Sequence, residues 1–302
     1  MWLLITISFY FILAVVFLVD KYLLTGSIAN PKVYTFYVGT LGVVVLVLIP
    51  FVNFSVPAFN QIILALLAGA IFIYALFWFY KALSLFEASR VVPAVGGLTP
   101  LFTFGLVYIF SFGKETLSLL EITTFVLLII GSFLMVAEKE KFINLKSLKI
   151  SAICAFLLSL SSVLLKYVYL VQPFWSGFIW TKIGGFLMAL CFLVLSKEIK
   201  EEIFQKKLSL KQKTMGIFIT NQAAGGGANI LQNWAFSLAP LAYIAIINAL
   251  QGIQYIFLLI FTILLSLKFP RILKEEISRG ILLQKISAIL LIGAGFILLV
   301  FK

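Results

Sequence analysis

Apolar runs of bilayer-crossing length follow one another through this chain almost without pause, and that feature narrows the fold more than any motif. An α-helix needs about 20 predominantly apolar residues to cross a hydrocarbon core of about 30 Å, with every backbone N–H and C=O paired inside the segment. Ten runs qualify: 2 to 20, 33 to 52, 60 to 80, 90 to 112, 118 to 137, 150 to 170, 174 to 196, 214 to 237, 241 to 267 and 280 to 301. With 63% of its 302 residues hydrophobic and 11% charged, the chain cannot hide that surface from water as a soluble domain. The sequence therefore predicts an all-α integral membrane protein of ten transmembrane helices. The first run has no basic residue before it and no small-residue cleavage pattern ahead of Asp20-Lys21, so it reads as a retained helix.

The net charge of +12 sits in membrane-flanking loops rather than among base-stacking aromatics, which argues against a nucleic-acid partner. Lys139, Lys141, Lys146 and Lys149 follow span five; Lys197, Lys200, Lys206, Lys207, Lys211 and Lys213 follow span seven; Lys268, Arg271, Lys274 and Arg279 follow span nine. The positive-inside rule then places the odd-numbered loops in the cytosol and both chain ends outside. Histidine is absent, and the eleven carboxylates fall at or beyond predicted helix ends. Cys154 and Cys191 lie inside spans and read as packing residues, so neither a metal site nor a cofactor is expected. No glycine-rich GKS or GKT element is present to hold ATP.

Sliding the chain by 145 residues aligns DKYLLTGSIANPKVYTFYVGTLG (20 to 42) with LKYVYLVQPFWSGFIWTKIGGFL (165 to 187), without a gap. ALSLFEASRVVP (82 to 93) aligns with AFSLAPLAYIAI (235 to 246), and GSFLMV (131 to 136) approximately with AGFILLV (294 to 300). The common order predicts two five-helix repeats, 1–140 and 141–302. Five is odd, so the second enters the membrane inverted, a plan that recurs in secondary transporters.

The segment KALSLFEASRVVPAVGGLTPLFTFGLVYIFSFGKETLSLLEITTFVLLIIGSFLMV (81 to 136) carries a proline within span four, the element Gly113-Lys114-Glu115, and a glycine near the end of span five. With the DKYLL that closes span one, it resembles the half-repeat of the drug/metabolite transporter superfamily, EamA-like branch. The second half lacks the glycine-glutamate element and has Lys268-Phe269-Pro270 nearby. The resemblance implies a ten-helix bundle in which the first four helices of each half surround a central cavity and the fifth lies at the periphery. It also implies cytosolic chain ends, opposite to the lysine and arginine count.

Polar side chains in a bilayer face protein or water. At about 100° per residue, Asn221, Gln222, Asn229, Gln232 and Asn233 project within an arc of about 120° on span eight, beside Gly225 to Gly227. Asn248, Gln251, Gln254 and Tyr255 share a similar arc on span nine. Two readings compete: one wall of a polar cavity, or interhelical hydrogen bonds worth about 0.6 kcal/mol each. Five amides on one stripe favour the cavity. Lys182, a third of the way along span seven, is a candidate partner for an anionic solute group, against snorkelling to the interface. Lys21 and Lys166 read as interfacial anchors or partners for helix-end carbonyls. Tyr37 and Trp78 are the aromatics chosen as candidate lining, although tyrosine and tryptophan also favour membrane interfaces. Pro93, Gly96, Gly97 and Pro100 soften span four and suit either a gate or a static kink.

The functional expectation is a secondary transporter moving a small polar or amphipathic metabolite across the cytoplasmic membrane by alternating access. A flippase for a lipid-linked substrate is the alternative. An intramembrane transferase is disfavoured, since the sequence offers no acid-base pair at depth. The expected partners are a small-molecule solute and membrane lipid; a homodimer stays open.

Overall fold

Backbone groups in lipid must pair within their own segment, so helices dominate the architecture. The computed structural model describes residues 1–25, 30–86, 88–136, 145–204, 212–268 and 279–301, and shows no strand among them. The helices are α1 (Trp2–Thr25), α2 (Pro31–Leu41), a 3-10 helix (Gly42–Phe51), α3 (Phe59–Leu85), α4 (Ala88–Phe110), α5 (Leu119–Val136) and α6 (Leu145–Val171). They continue with α7 (Phe174–Leu195), α8 (Lys197–Phe204), α9 (Gln212–Leu238), α10 (Tyr243–Ala249), α11 (Gln251–Lys268) and α12 (Arg279–Val300). Among the described residues, seven segments are long and apolar enough to cross a membrane: Trp2–Asp20, Pro31–Phe51, Phe59–Leu85, Leu145–Val171, Phe174–Leu195, Tyr243–Phe261 and Leu283–Val300. Ala94–Phe110 and Leu119–Met135 are apolar but shorter. The protein is an all-helical membrane bundle.

Small residues let the helices approach. A Cβ added at Gly69 would lie 1.8 Å from the Thr181 carbonyl oxygen, and one at Gly184 would lie 2.1 Å from that of Leu66, so α3 and α7 cross backbone on backbone. Where α5 meets α12, Gly131 faces Ala288 and Ile292, while Gly295 faces Thr124 and Leu128. Earlier residues of one helix meet later residues of the other, so the two run antiparallel. Gly113, at a φ of +75°, ends α4 by turning its N–H back to the Tyr108 carbonyl at 2.9 Å. Ser118 and Glu121 then open α5 as a capping box, the Ser118 N–H donating to Glu121 Oε2 at 2.6 Å.

Three elements differ from the sequence expectation. Span two changes winding at Gly42 from α to 3-10, with Pro50 inside the second part. Span nine is interrupted at Leu250, between α10 and α11. One carbonyl near that point takes a side-chain donor from another helix: Tyr10 Oη donates to the Ile247 oxygen at 2.8 Å. The charged connector from 197 to 213, which lies outside the ten apolar runs, begins with α8, which fully buries Ile199 against a cluster containing Tyr34 and Phe218. Its sequence KEIKEEIF puts Ile199 and Ile203 four residues apart on one face, which is what an amphipathic helix needs. Lys32 pairs with Glu198 at 2.7 Å, tying α8 to the start of α2. Hydrogen bonds from Lys32 and Ser196 hold the exposed Glu198 carboxyl well below its ordinary value, at about 2.

The side chains of Lys21, Pro93 and Glu202, and residues Glu87, Glu138, Glu140, Glu275 and Glu276, lie outside the described residues.

Candidate functional site

Polar side chains within the bundle converge on a cavity of about 170 Å³. Its walls come from α1 (Tyr10, Leu13), α2 (Val38, Gly39), α3 (Gly69, Phe72, Ile73), α4 (Thr99) and α6 (Leu158, Ser161, Ser162, Leu165). The remainder is Thr181, Lys182 and Gly185 on α7, Asn229, Gln232, Asn233 and Phe236 on α9, Asn248 on α10, Gln251 and Gln254 on α11, and Gly42 at the change of winding. None of these lining residues belongs to α5, α8 or α12. That volume equals the share of about six water molecules in the liquid.

Lys182 organises one side. Its Nζ donates to Asn229 Oδ1 at 2.5 Å and sits 5.1 Å from the centroid of the Phe178 ring. Among the described residues it has no ion-pair partner; the only such pair is Lys32 with Glu198. Asn229 Oδ1 also accepts from Asn233 Nδ2 at 3.3 Å, and Asn233 Oδ1 accepts from Tyr169 Oη at 2.7 Å. The chain from Lys182 to Tyr169 thus links α7, α9 and α6 and fixes which way the two asparagines face.

The hydroxyls opposite are already occupied. Thr99 donates to the Val95 carbonyl at 2.7 Å, Ser161 to that of Ala68 at 2.9 Å, Ser162 to that of Leu158 at 2.9 Å and Thr181 to that of Gly177 at 2.8 Å. Asn248 Nδ2 donates to Thr103 Oγ1 at 2.9 Å. The amides of Gln251 and Gln254 differ: both line the cavity, and neither has a hydrogen-bond partner among the described residues. Gln254 is 6% exposed. An unpaired amide away from water costs about 1 to 3 kcal/mol in protein mutational data, so these two groups call for water or a solute in the cavity.

The residues singled out in the sequence divide between places. Lys182, Asn229, Gln232, Asn233, Asn248 and Gln251 line the cavity together. Asn221 and Gln222 lie about two turns earlier on α9 and outside it. There Asn221 Nδ2 donates to Asp20 Oδ1 at 2.7 Å, Tyr34 Oη donates to the same carboxylate oxygen, and Gln222 Nε2 donates to Tyr34 Oη at 3.3 Å. Tyr37 packs on Phe36 and Phe218, and Trp78 carries Lys81 over its ring at 4.6 Å; neither lines the cavity. Gly96 lies against the Tyr255 hydroxyl, which donates to the Val92 carbonyl at 3.3 Å. Gly97 has open space at its Cα, and Pro100 is buried in an unbroken α4.

One residue overturns an expectation. Asp20 lies not at a helix end but inside α1, which continues to Thr25. A span estimated from hydropathy stops at the first charge, whereas this helix continues past it because Tyr34 and Asn221 receive the carboxylate. Thr99, Ser161, Ser162 and Thr181 were not singled out either. For Thr99, Ser162 and Thr181 the hydroxyl bonds the preceding turn, which is routine and gives no signal of its own, and the Ser161 partner, the Ala68 carbonyl, lies on another helix.

Site and fold together define a polytopic membrane protein whose helical bundle holds a cavity lined by both polar and apolar side chains. No protein-family model matches the chain, and no curated protein does. Twenty-seven chains of solved structures match it. One, a crystal structure of a protein, aligns with a TM-score of 0.68 over 98% of this chain and 96% of its own, at 15% identity. At that identity the likeness is one of fold alone.

Proposed function

We propose that the protein is a secondary transporter carrying a small polar or amphipathic metabolite across the cytoplasmic membrane by alternating access. We place it in the drug/metabolite transporter superfamily, with ten spans in two inverted five-helix repeats. The observation that carries this reading is the cavity itself, where Lys182 without a counter-ion and the unpartnered amides of Gln251 and Gln254 face a common space. A static bundle gains nothing from leaving them unpaired.

The arrangement of the helices supports the repeat. A shift of 164 residues carries Thr124, Leu128 and Gly131 onto Ala288, Ile292 and Gly295, so the contacts of Gly131 and those of Gly295 are the same contacts exchanged. The shift of 145 that matches span one to span six takes Val16 to Ser161, and the shift of 153 that matches Ala82 to Ala235 takes Ala68 to Asn221. Ser161 bonds the Ala68 carbonyl at 2.9 Å, and Asn221 reaches the Val16 carbonyl at 3.5 Å. The equivalent helix pairs therefore cross at equivalent points. Antiparallel α5 and α12 suit halves of opposite orientation, and both stay off the cavity wall, as the resemblance implies for the fifth helices. The local tightening at Leu250, where Ile253 N–H bonds back three residues, falls between two lining amides, Asn248 and Gln251.

Uptake from a defined metabolite mixture into proteoliposomes, read by mass spectrometry, tests the proposal. Accumulation of one or a few compounds, absent from protein-free vesicles, is expected. Equal contents in both kinds of vesicle would overturn it.

A further inference from the structure

A cavity selects its solute by charge before shape, because an unneutralised charge in a low-dielectric site acts strongly on whatever enters. Among the described residues its lining carries a single charge, supplied by Lys182, and no aspartate or glutamate. An ammonium has three donors, and Asn229 takes one of them. The cavity hydroxyls direct their protons to backbone carbonyls, while Gln251 and Gln254 keep their amide N–H groups as well as their carbonyl oxygens for a visitor. Charge therefore discriminates here more than hydrogen bonding does, because amides and hydroxyls can serve either sign while the ammonium serves only an anion. Phe72, Ile73 and Phe236 add an apolar wall, and the volume of about 170 Å³ limits the body to a short chain or one small ring.

We infer that the solute is a small organic anion, a monocarboxylate or a group of like charge and size, whose acidic oxygens are drawn to Lys182. This rests on the carrier reading and names its substrate class. A cationic solute would meet an uncompensated positive charge, and a neutral one would leave that charge without a partner. The Asn229 contact orients the ammonium without neutralising it, so the site stays electropositive until the anion arrives.

The test uses the purified full-length chain at pH 7 in neutral lipid and detergent, so that no anionic headgroup competes. Thermal shift is measured against butyrate, lactate and benzoate, each paired with its amide: butyramide, lactamide and benzamide. At least one carboxylate is expected to raise Tm saturably, while its amide at equal concentration does not. Lys182→Met is expected to weaken that binding at least tenfold, about 1.4 kcal/mol. Should Lys182→Met fail to fold, Asn229→Asp serves instead. It sets a carboxylate against the ammonium, and is expected to hold or raise the unliganded Tm while weakening the anion at least tenfold. Amides binding as well as carboxylates, or anion affinity unchanged in Asn229→Asp, overturns the anion class and leaves the carrier reading standing. No shift with any of the six probes also overturns it, while uptake from the metabolite mixture reports on the carrier separately.

Discussion

The polar stripe of α9 has two ends with opposite fates. At Asn221 and Gln222 the amides meet a carboxylate and a phenol from α1 and α2, and each makes a hydrogen bond across a helix boundary. At Asn229 and Gln232, two turns on, the same kind of residue meets a cation and a cavity. Amide chemistry and helix face are shared, so the difference comes from what the opposing helices offer. Cavity wall and interhelical glue are not rival readings of the stripe. It is glue alone where Asp20 and Tyr34 stand opposite, and both glue and lining where Lys182 and Tyr169 hold Asn229 and Asn233 at the cavity's edge.

The contrast can be broken by substitution. The largest effect is expected for Asp20→Ala, which leaves Tyr34 and Asn221 facing each other without their shared acceptor. A loss of about 2 to 3 kcal/mol, seen as a lower Tm in detergent, is expected for such a buried network. If Tm holds, the glue end is not load-sharing. Gln251→Leu and Gln254→Leu should do the reverse: uptake down about tenfold, about 1.4 kcal/mol, with Tm unchanged or raised because an unpaired amide is removed. Parallel falls in Tm and uptake would merge the two ends into one structural role. Asn221→Leu should cost about 1 kcal/mol in Tm, with solute affinity in the folded fraction unchanged.

The smallest effect concerns the outer support of the glue end, where Lys32 and Glu198 clamp α8 to α2. Glu198 is held at about 2, below its ordinary 4.5, so its stabilisation is present above about 4.5 and is lost as pH falls toward about 2. A Tm profile from pH 5 to pH 2 should lose a small component that Glu198→Gln lacks. Identical profiles would mean that the pair does not clamp.

Seven of the ten runs were legible as span-length apolar helices among the described residues, because the bilayer imposes length and apolarity. Lys182 stood out for the same reason, since a charge in the middle of an apolar run has few bland explanations. The interruption at Leu250 was not legible. Its one side-chain donor from another helix, Tyr10 on the Ile247 carbonyl, is distant in sequence. Nor could periodicity separate Asn221 from Asn229, because the deciding partners lie on α1, α2 and α7. Asp20 was misplaced because hydropathy sees a charge but not the phenol and amide that receive it.

The changed winding of span two has a dimensional consequence. A 3-10 helix rises about 2.0 Å per residue against about 1.5 Å for an α-helix. The ten residues from Gly42 to Phe51 therefore reach about 20 Å instead of about 15 Å. Rewinding them as α-helix would shorten the element by about 5 Å, nearly one α-helical pitch, while keeping the backbone paired. Because Gly42 and Lys182 line the same cavity, and a side chain at Gly42 would reach the Lys182 stem, that reserve of length sits beside the ammonium.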